Sequence, residues 1–204
     1  MLDRYVRPLI DPPLNRMGRS LAQAGVSANA VTVIGLALGL AGAFAVLKEC
    51  YLCALGLMLA SRLADGLDGA VARATRMTDF GGYFDIVADF VFYAAYPLAF
   101  VVADPAQNGV AGAALLGAFY IKGAWFLGFA ILAAKRNMNT AVRGRKSWYH
   151  SGGLLEGTET IVFFVALCVF SSAFVPLAWG FAAACVVTAG ARVAMAYDLV
   201  RDQG

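Results

Sequence analysis

Residues 61–90 read SRLADGLDGAVARATRMTDFGGYFDIVADF. They place Asp65, Asp68, Asp85 and Asp89 in a chain that otherwise has the composition of an integral membrane protein. Of its 204 residues, 61% are hydrophobic and 14% charged, against about 45–50% and about 25% in a soluble domain. Charge is expensive in hydrocarbon, so four acids close together need a reason.

Spacing supplies the first part of it. Asp65 and Asp68 are three apart, Asp85 and Asp89 four apart, and both spacings share one helical face. The apolar runs on either side predict two antiparallel spans, 50–72 and 82–103. Asp68 and Asp85 then lie ~5 Å inside the same membrane surface, and Asp65 and Asp89 ~10 Å inside it. The two pairs match in depth and converge on one point. Mutual repulsion and desolvation demand a compensating positive charge. Two sources remain open at this stage. One is an ion-pair cluster with Arg62 or Arg73. The other is a divalent metal, with Mg²⁺ or Mn²⁺ suiting an all-carboxylate donor set that has room for two ions.

The rest of the chain is organised around these spans. Further apolar runs at 31–47 and 107–134 predict helices, the latter interrupted by Lys122. Residues 160–191 carry no charge over more than one span's length. Pro176 is expected to divide them, giving helices at about 155–174 and about 176–197. The fold class is therefore all-α, a bundle of six transmembrane helices. Arg4, Arg7, Arg16, Arg19, Arg73, Arg76, Lys135, Arg136, Arg143, Arg145, Lys146 and Arg201 fall at one set of helix ends, and only Lys48 at the other. The positive-inside rule then places both termini in the cytoplasm, in a multi-pass inner-membrane protein whose carboxylates face the cytoplasm.

Residues 1–24 mix Leu2, Tyr5, Leu9, Leu14 and Met17 with arginines and with Pro8, Pro12 and Pro13. They are expected to form a bent interfacial element ahead of a catalytic domain at 25–204. Without an apolar core they do not read as a signal peptide. Gly35-x-x-x-Gly39 invites close helix packing. Cys50-x-x-Cys53 lacks partner ligands for a metal, and Cys168 and Cys185 read as small core residues. Nothing resembles a nucleic-acid platform.

The pattern Asp65-x-x-Asp68-Gly69-x-x-Ala72-Arg73, followed by Gly81-x-x-x-Asp85-x-x-x-Asp89, resembles the signature of the CDP-alcohol phosphotransferase family. Eight positions are fixed across residues 65–89. The segment VSANAVT at 26–32 is similar to the one that opens the family's first membrane helix. One departure is that seven residues separate Arg73 from Gly81, one fewer than members commonly have. The resemblance implies transfer of a substituted phosphoryl group from a CDP-linked alcohol, usually CDP-diacylglycerol, to an acceptor hydroxyl with release of CMP. It implies that Asp65, Asp68 and Asp85 hold the metals, with Asp89 as a metal-proximal base that also belongs to the metal set. It further implies that Asn29, Thr32, Asp65, Asp68, Gly69, Ala72, Arg73 and Gly81 surround the CDP portion, and that the protein is a homodimer.

The acceptor is less legible. Lys135 and Arg192 are candidates for a phosphate on it. Glu156 and Glu159 are candidates for an amine, or else acids placed to suit a helix N-terminus. Trp148 and Tyr149 read as an interfacial belt. Lys122 is expected to find a carboxylate or backbone partner. The alternative function is an ion transporter built on intramembrane carboxylates, although no internal repeat supports it.

Overall fold

The structure is a computed structural model and describes residues 2–135, 155 and 157–201. All secondary structure among them is helical. In chain order the helices are α1 (Asp3–Gln23), α2 (Ala28–Leu47), α3 (Tyr51–Ala74), α4 (Asp79–Ala103), α5 (Pro105–Lys135), α6 (Gly157–Val169) and α7 (Phe174–Arg201).

Local chemistry sets the helix ends. Ser27 caps α2 by accepting from the Ala30 amide at 3.2 Å, and Thr78 caps α4 by accepting from Gly81 at 3.0 Å. Asp104 does the same for α5, accepting from the Gln107 amide at 3.0 Å. Each cap satisfies an amide that helix geometry leaves over. α1 ends in a Schellman turn. Gly25 takes φ +80°, its amide donates to Ala22 O, and the Val26 amide reaches back to Leu21 O. Glycine adopts that φ without steric cost.

Four helical segments are long and apolar enough to cross a membrane: Ala28–Leu47, Asp79–Ala103, Pro105–Leu132 and Ser171–Ala194. The other two predicted spans look different. α3 has 24 residues but carries Arg62, Asp65, Asp68 and Arg73 along its length. α6 runs for 13 apolar residues. The predicted division at Pro176 is also corrected. The helix breaks earlier, at Phe170, and a 3-10 turn at Ser171–Ala173 leads into α7. Pro176 falls in the first turn of α7, where an amide hydrogen has no intrahelical acceptor to lose. The N-terminal segment is one continuous helix. Pro8, Pro12 and Pro13 lie inside α1 on exposed positions, so the carbonyls they leave without donors face outward.

α2 packs against both α3 and α4, and the Gly35-x-x-x-Gly39 expectation holds there. A Cβ on Gly35 would lie 3.1 Å from Ala64 Cβ, and one on Gly39 would lie 2.7 Å from Phe92 Cδ2. One turn further, a Cβ on Gly42 would lie 1.9 Å from the Tyr96 hydroxyl, which donates to Ala54 O at 3.0 Å. Behind this contact lies an aromatic core. Phe92, Tyr96, Phe100 and Phe164 are fully buried, and Phe163 stacks on Phe181 with centroids 3.9 Å apart. Cys168 and Cys185 are buried in that core, as expected, while Cys50 and Cys53 are exposed and free.

Tyr96 cannot turn aside within such packing. Gly42→Ala is therefore expected to destabilise the protein by ~1–3 kcal/mol, read as a lower midpoint of thermal unfolding in detergent. Removing the clashing oxygen with Tyr96→Phe in the same chain is expected to restore part of that loss, which a double-mutant cycle would register as coupling.

Candidate active site

The four aspartates come together as the depth count predicts. Asp65 lies within electrostatic reach of Asp85 and Asp89, and Asp68 within reach of the same two. Asp65 and Asp68 come from α3, Asp85 and Asp89 from α4. The Gly35 and Gly39 contacts bring α2 close enough to complete the site from a third side. Thr32 Oγ1 donates to Asp68 Oδ2 at 2.6 Å, and Asp68 is the most deeply buried of the four. A bond from a hydroxyl to a carboxylate in a buried setting is short and strong.

The positive charge among the carboxylates belongs to Arg62. Its Nη1 lies 2.6 Å from Asp89 Oδ1 and 3.5 Å from Asp65 Oδ1. Its Nη2 donates to Ser61 Oγ at 3.2 Å, and Ser61 Oγ in turn donates to Gly35 O at 2.7 Å. The guanidinium carbon sits 3.9 Å above the centre of the Phe92 ring, which suits a cation facing the negative side of an aromatic quadrupole. Arg73, the other arginine considered, goes elsewhere. It donates to Asn15 Oδ1 from Nη2 at 3.0 Å and from Nε at 3.4 Å.

The residues expected to contact CDP lie on α2, α3 and α4. A Cβ on Gly69 would sit 3.2 Å from Arg73 Nη1, so the guanidinium lies over a helix surface without side chain. A Cβ on Gly81 would sit 3.3 Å from Asn29 Oδ1, which brings the starts of α2 and α4 together. Ala72 is half-buried on the same helix as Gly69. α1 forms a wall over this region. A Cβ on Gly66 would lie 3.0 Å from its Leu14 Cδ1, and its Gly18 approaches Ala70 so closely that a Cβ would lie 2.6 Å away.

The donor chemistry, carboxylate oxygens alone, suits a hard divalent cation. As they stand, no three His, Cys, Asp or Glu side chains among the described residues are gathered around one ion position. Arg62 engages two of the four.

On the far side of Asp89 a second polar group lies inside the bundle. Lys122 Nζ donates to Thr160 Oγ1 at 2.9 Å. The ammonium faces Asp89, Glu159, Cys185 and Arg192. Arg192 lies 4.5 Å over the Trp125 ring. Trp125 Nε1 and Thr188 Oγ1 are buried without hydrogen-bond partners. Of the predicted acceptor residues, Glu159 and Arg192 thus meet around Lys122, while Lys135 sits exposed at the end of α5. Glu156 lies outside the described residues, as do Arg143, Arg145, Lys146, Trp148 and Tyr149.

Sequence reasoning missed how Glu159 is held. Its Oε1 accepts from the Leu2 amide at 2.7 Å, while Asp3 Oδ1 accepts from the Thr158 amide at 2.9 Å and from the Thr158 hydroxyl. The beginnings of α1 and α6 cap each other. The only sequence signal was acid at two helix starts, each with an ordinary local explanation.

Residues 26–190 match the family model described as CDP-alcohol phosphatidyltransferase, a span that contains every aspartate of the site. The chain is 45% identical over 197 residues to Inner membrane protein YnjF of Escherichia coli (strain K12), covering 97% of this chain and 96% of that protein. It is 34% identical over 85 residues to Archaetidylinositol phosphate synthase of Pyrococcus horikoshii, covering 41% and 45% of the two chains. Among solved structures it resembles Mycobacterium tuberculosis phosphatidylinositol phosphate synthase (PgsA1) with CDP-DAG bound. That match has TM-score 0.68 and 19% identity over 88% of this chain and 91% of the other. The same enzyme in complex with manganese and citrate matches at TM-score 0.69 and 19% identity, over 90% and 88%. At that identity the structural likeness speaks for the fold. With the family match and the four converging aspartates, it makes this chain a membrane-embedded member of the CDP-alcohol phosphatidyltransferase family, a transferase of phospholipid synthesis.

Proposed function

We propose that the protein transfers a phosphatidyl group from CDP-diacylglycerol to the hydroxyl of an anionic acceptor at the cytoplasmic surface of the inner membrane. The acceptor oxygen forms a bond to the β-phosphorus of the donor's diphosphate. The bond from that phosphorus to the bridging oxygen breaks, CMP leaves, and the hydroxyl proton passes to the enzyme. The observation that carries this reading is the meeting of Asp65, Asp68, Asp85 and Asp89 beside Thr32, Asn29, Gly69 and Arg73. The solved relative with CDP-DAG bound supports the donor, and its manganese complex supports the metal.

Asp65, Asp68, Asp85 and Asp89 would hold Mg²⁺ or Mn²⁺, two ions in all, which when bound would neutralise the diphosphate and the charge developing on CMP. Asp89 takes the acceptor's proton, since it stands between the nucleotide side of the site and the Lys122 cluster. Thr32 holds Asp68 in place. Arg73 lies over the bare surface at Gly69, where it can turn from Asn15 to a phosphate. The donor's tails remain in the bilayer while its nucleotide meets α1, which lies in the interface. Six spans with both termini cytoplasmic, and a homodimer, complete the arrangement.

The acceptor side is rich in donors. Lys122, Arg192, Trp125 Nε1 and Thr188 face inward, and one oxygen of Glu159 is engaged by Leu2. Such a lining fits phosphate or carboxylate better than a free amine.

CMP release from CDP-diacylglycerol, measured with Mn²⁺ across a panel of acceptors, tests the assignment. Asp89→Asn is expected to lower turnover about 10²-fold or more. Equal turnover in the two proteins would remove Asp89 from the chemistry. Phosphorylated polyols are expected to serve as acceptors where serine does not. Lys122→Met is expected to raise KM for such an acceptor about tenfold or more, in line with losing a charge-assisted bond, while leaving KM for the CDP-lipid in place.

A further inference from the structure

Arg62 is unusual in its surroundings. Its side chain is 8% exposed, on a helix whose other arginine, Arg73, is exposed near the end. It makes no contact that looks like anchoring to a membrane surface. Its charge goes to Asp89 and Asp65, one carboxylate from each of the two aspartate-bearing helices. These are the carboxylates at the deeper level of the site. The shallower pair is held differently, Asp68 by the Thr32 hydroxyl.

The guanidinium is well supported but incompletely satisfied. Phe92 carries its face and Ser61 takes Nη2. Its Nε is buried without a hydrogen-bond partner. In a low-dielectric setting an idle donor costs free energy, so this position is held by attraction to the carboxylates and not by a full set of hydrogen bonds. An arginine placed so can release Asp89 when a stronger cation arrives.

We propose that Arg62 is a built-in counter-cation of the carboxylate centre, a positioning residue that holds Asp65 and Asp89 together and competes with divalent metal for them. The inference rests on the divalent-metal reading given above. Two consequences follow from Coulomb's law. Removing the guanidinium removes a positive charge that opposes an incoming divalent ion, so metal binds more tightly. It also leaves the carboxylates to repel one another when no metal is bound, so the protein becomes less stable and metal restores more of that loss. A residue that merely filled space would produce neither change, and one that only built the metal site would weaken metal binding.

The test uses the full chain in nanodiscs, with Mn²⁺ alone as the probe. Bound ion is measured by loss of the free Mn²⁺ signal in electron paramagnetic resonance, and thermal unfolding is followed with Mn²⁺ and with EDTA. Arg62→Met is expected to bind Mn²⁺ about tenfold tighter than wild type. It should unfold at a lower temperature in EDTA and gain more from Mn²⁺ than wild type does. Arg62→Lys keeps the charge and should fall between the two. If Arg62→Met does not yield folded protein, Arg62→Gln against Arg62→Lys decides the same question, the glutamine variant binding more tightly. Variants that bind Mn²⁺ as wild type does, or more weakly, overturn the proposal and leave the metal reading standing. Absence of Mn²⁺ binding to wild type would remove the metal reading, and the competition with it.

Discussion

Four carboxylates in an apolar bundle repel one another, and what neutralises them shapes the region around them. Arg62 meets Asp89 and Asp65 directly. Thr32 supplies a hydroxyl to Asp68. Each of these partners needs its own placement. Arg62 needs the Phe92 ring and Ser61, and Ser61 needs the Gly35 carbonyl. Thr32 needs α2 pressed against α3. The charge problem is thus solved by backbone proximity, and proximity is what the bare positions at Gly35, Gly39 and Gly42 provide. Small residues that read as membrane packing are also what lets the site be neutralised.

The same contact separates two chemical neighbourhoods. On one side of Asp89 lie Asn29, Gly69, Ala72, Arg73 and Gly81, under the wall made by α1. On the other lie Lys122, Thr160, Trp125 and Arg192, between α5, α6 and α7. Asp89 therefore faces a surface with little side-chain bulk and a surface of hydrogen-bond donors.

Much of this was legible before any coordinates. The spacing of the aspartates and their matched depth specified which helix faces meet, because helical period and rise are fixed numbers. What was not legible depended on tertiary choice. Arg62 and Arg73 are equivalent in a sequence count, and only the position of Asn15 on α1 and of Phe92 on α4 separates their roles. Pro176 looked like the divider of the last apolar run. A proline also fits the first turn of a helix, and the actual break at Ser171–Ala173 carries no strong marker.

The mutual capping of α1 and α6 joins residues 155 and 157 positions apart in sequence, Asp3 with Thr158 and Leu2 with Glu159. Contacts of such separation close a long loop, at an entropic cost that grows only slowly with its length. The start of α1 is therefore satisfied only when α6, far along the chain, reaches it. The packing of α1 on α3 needs only the first helices, whereas the cap at the start of α1 needs α6. The latch between α1 and α6 therefore forms only once α6 is in place.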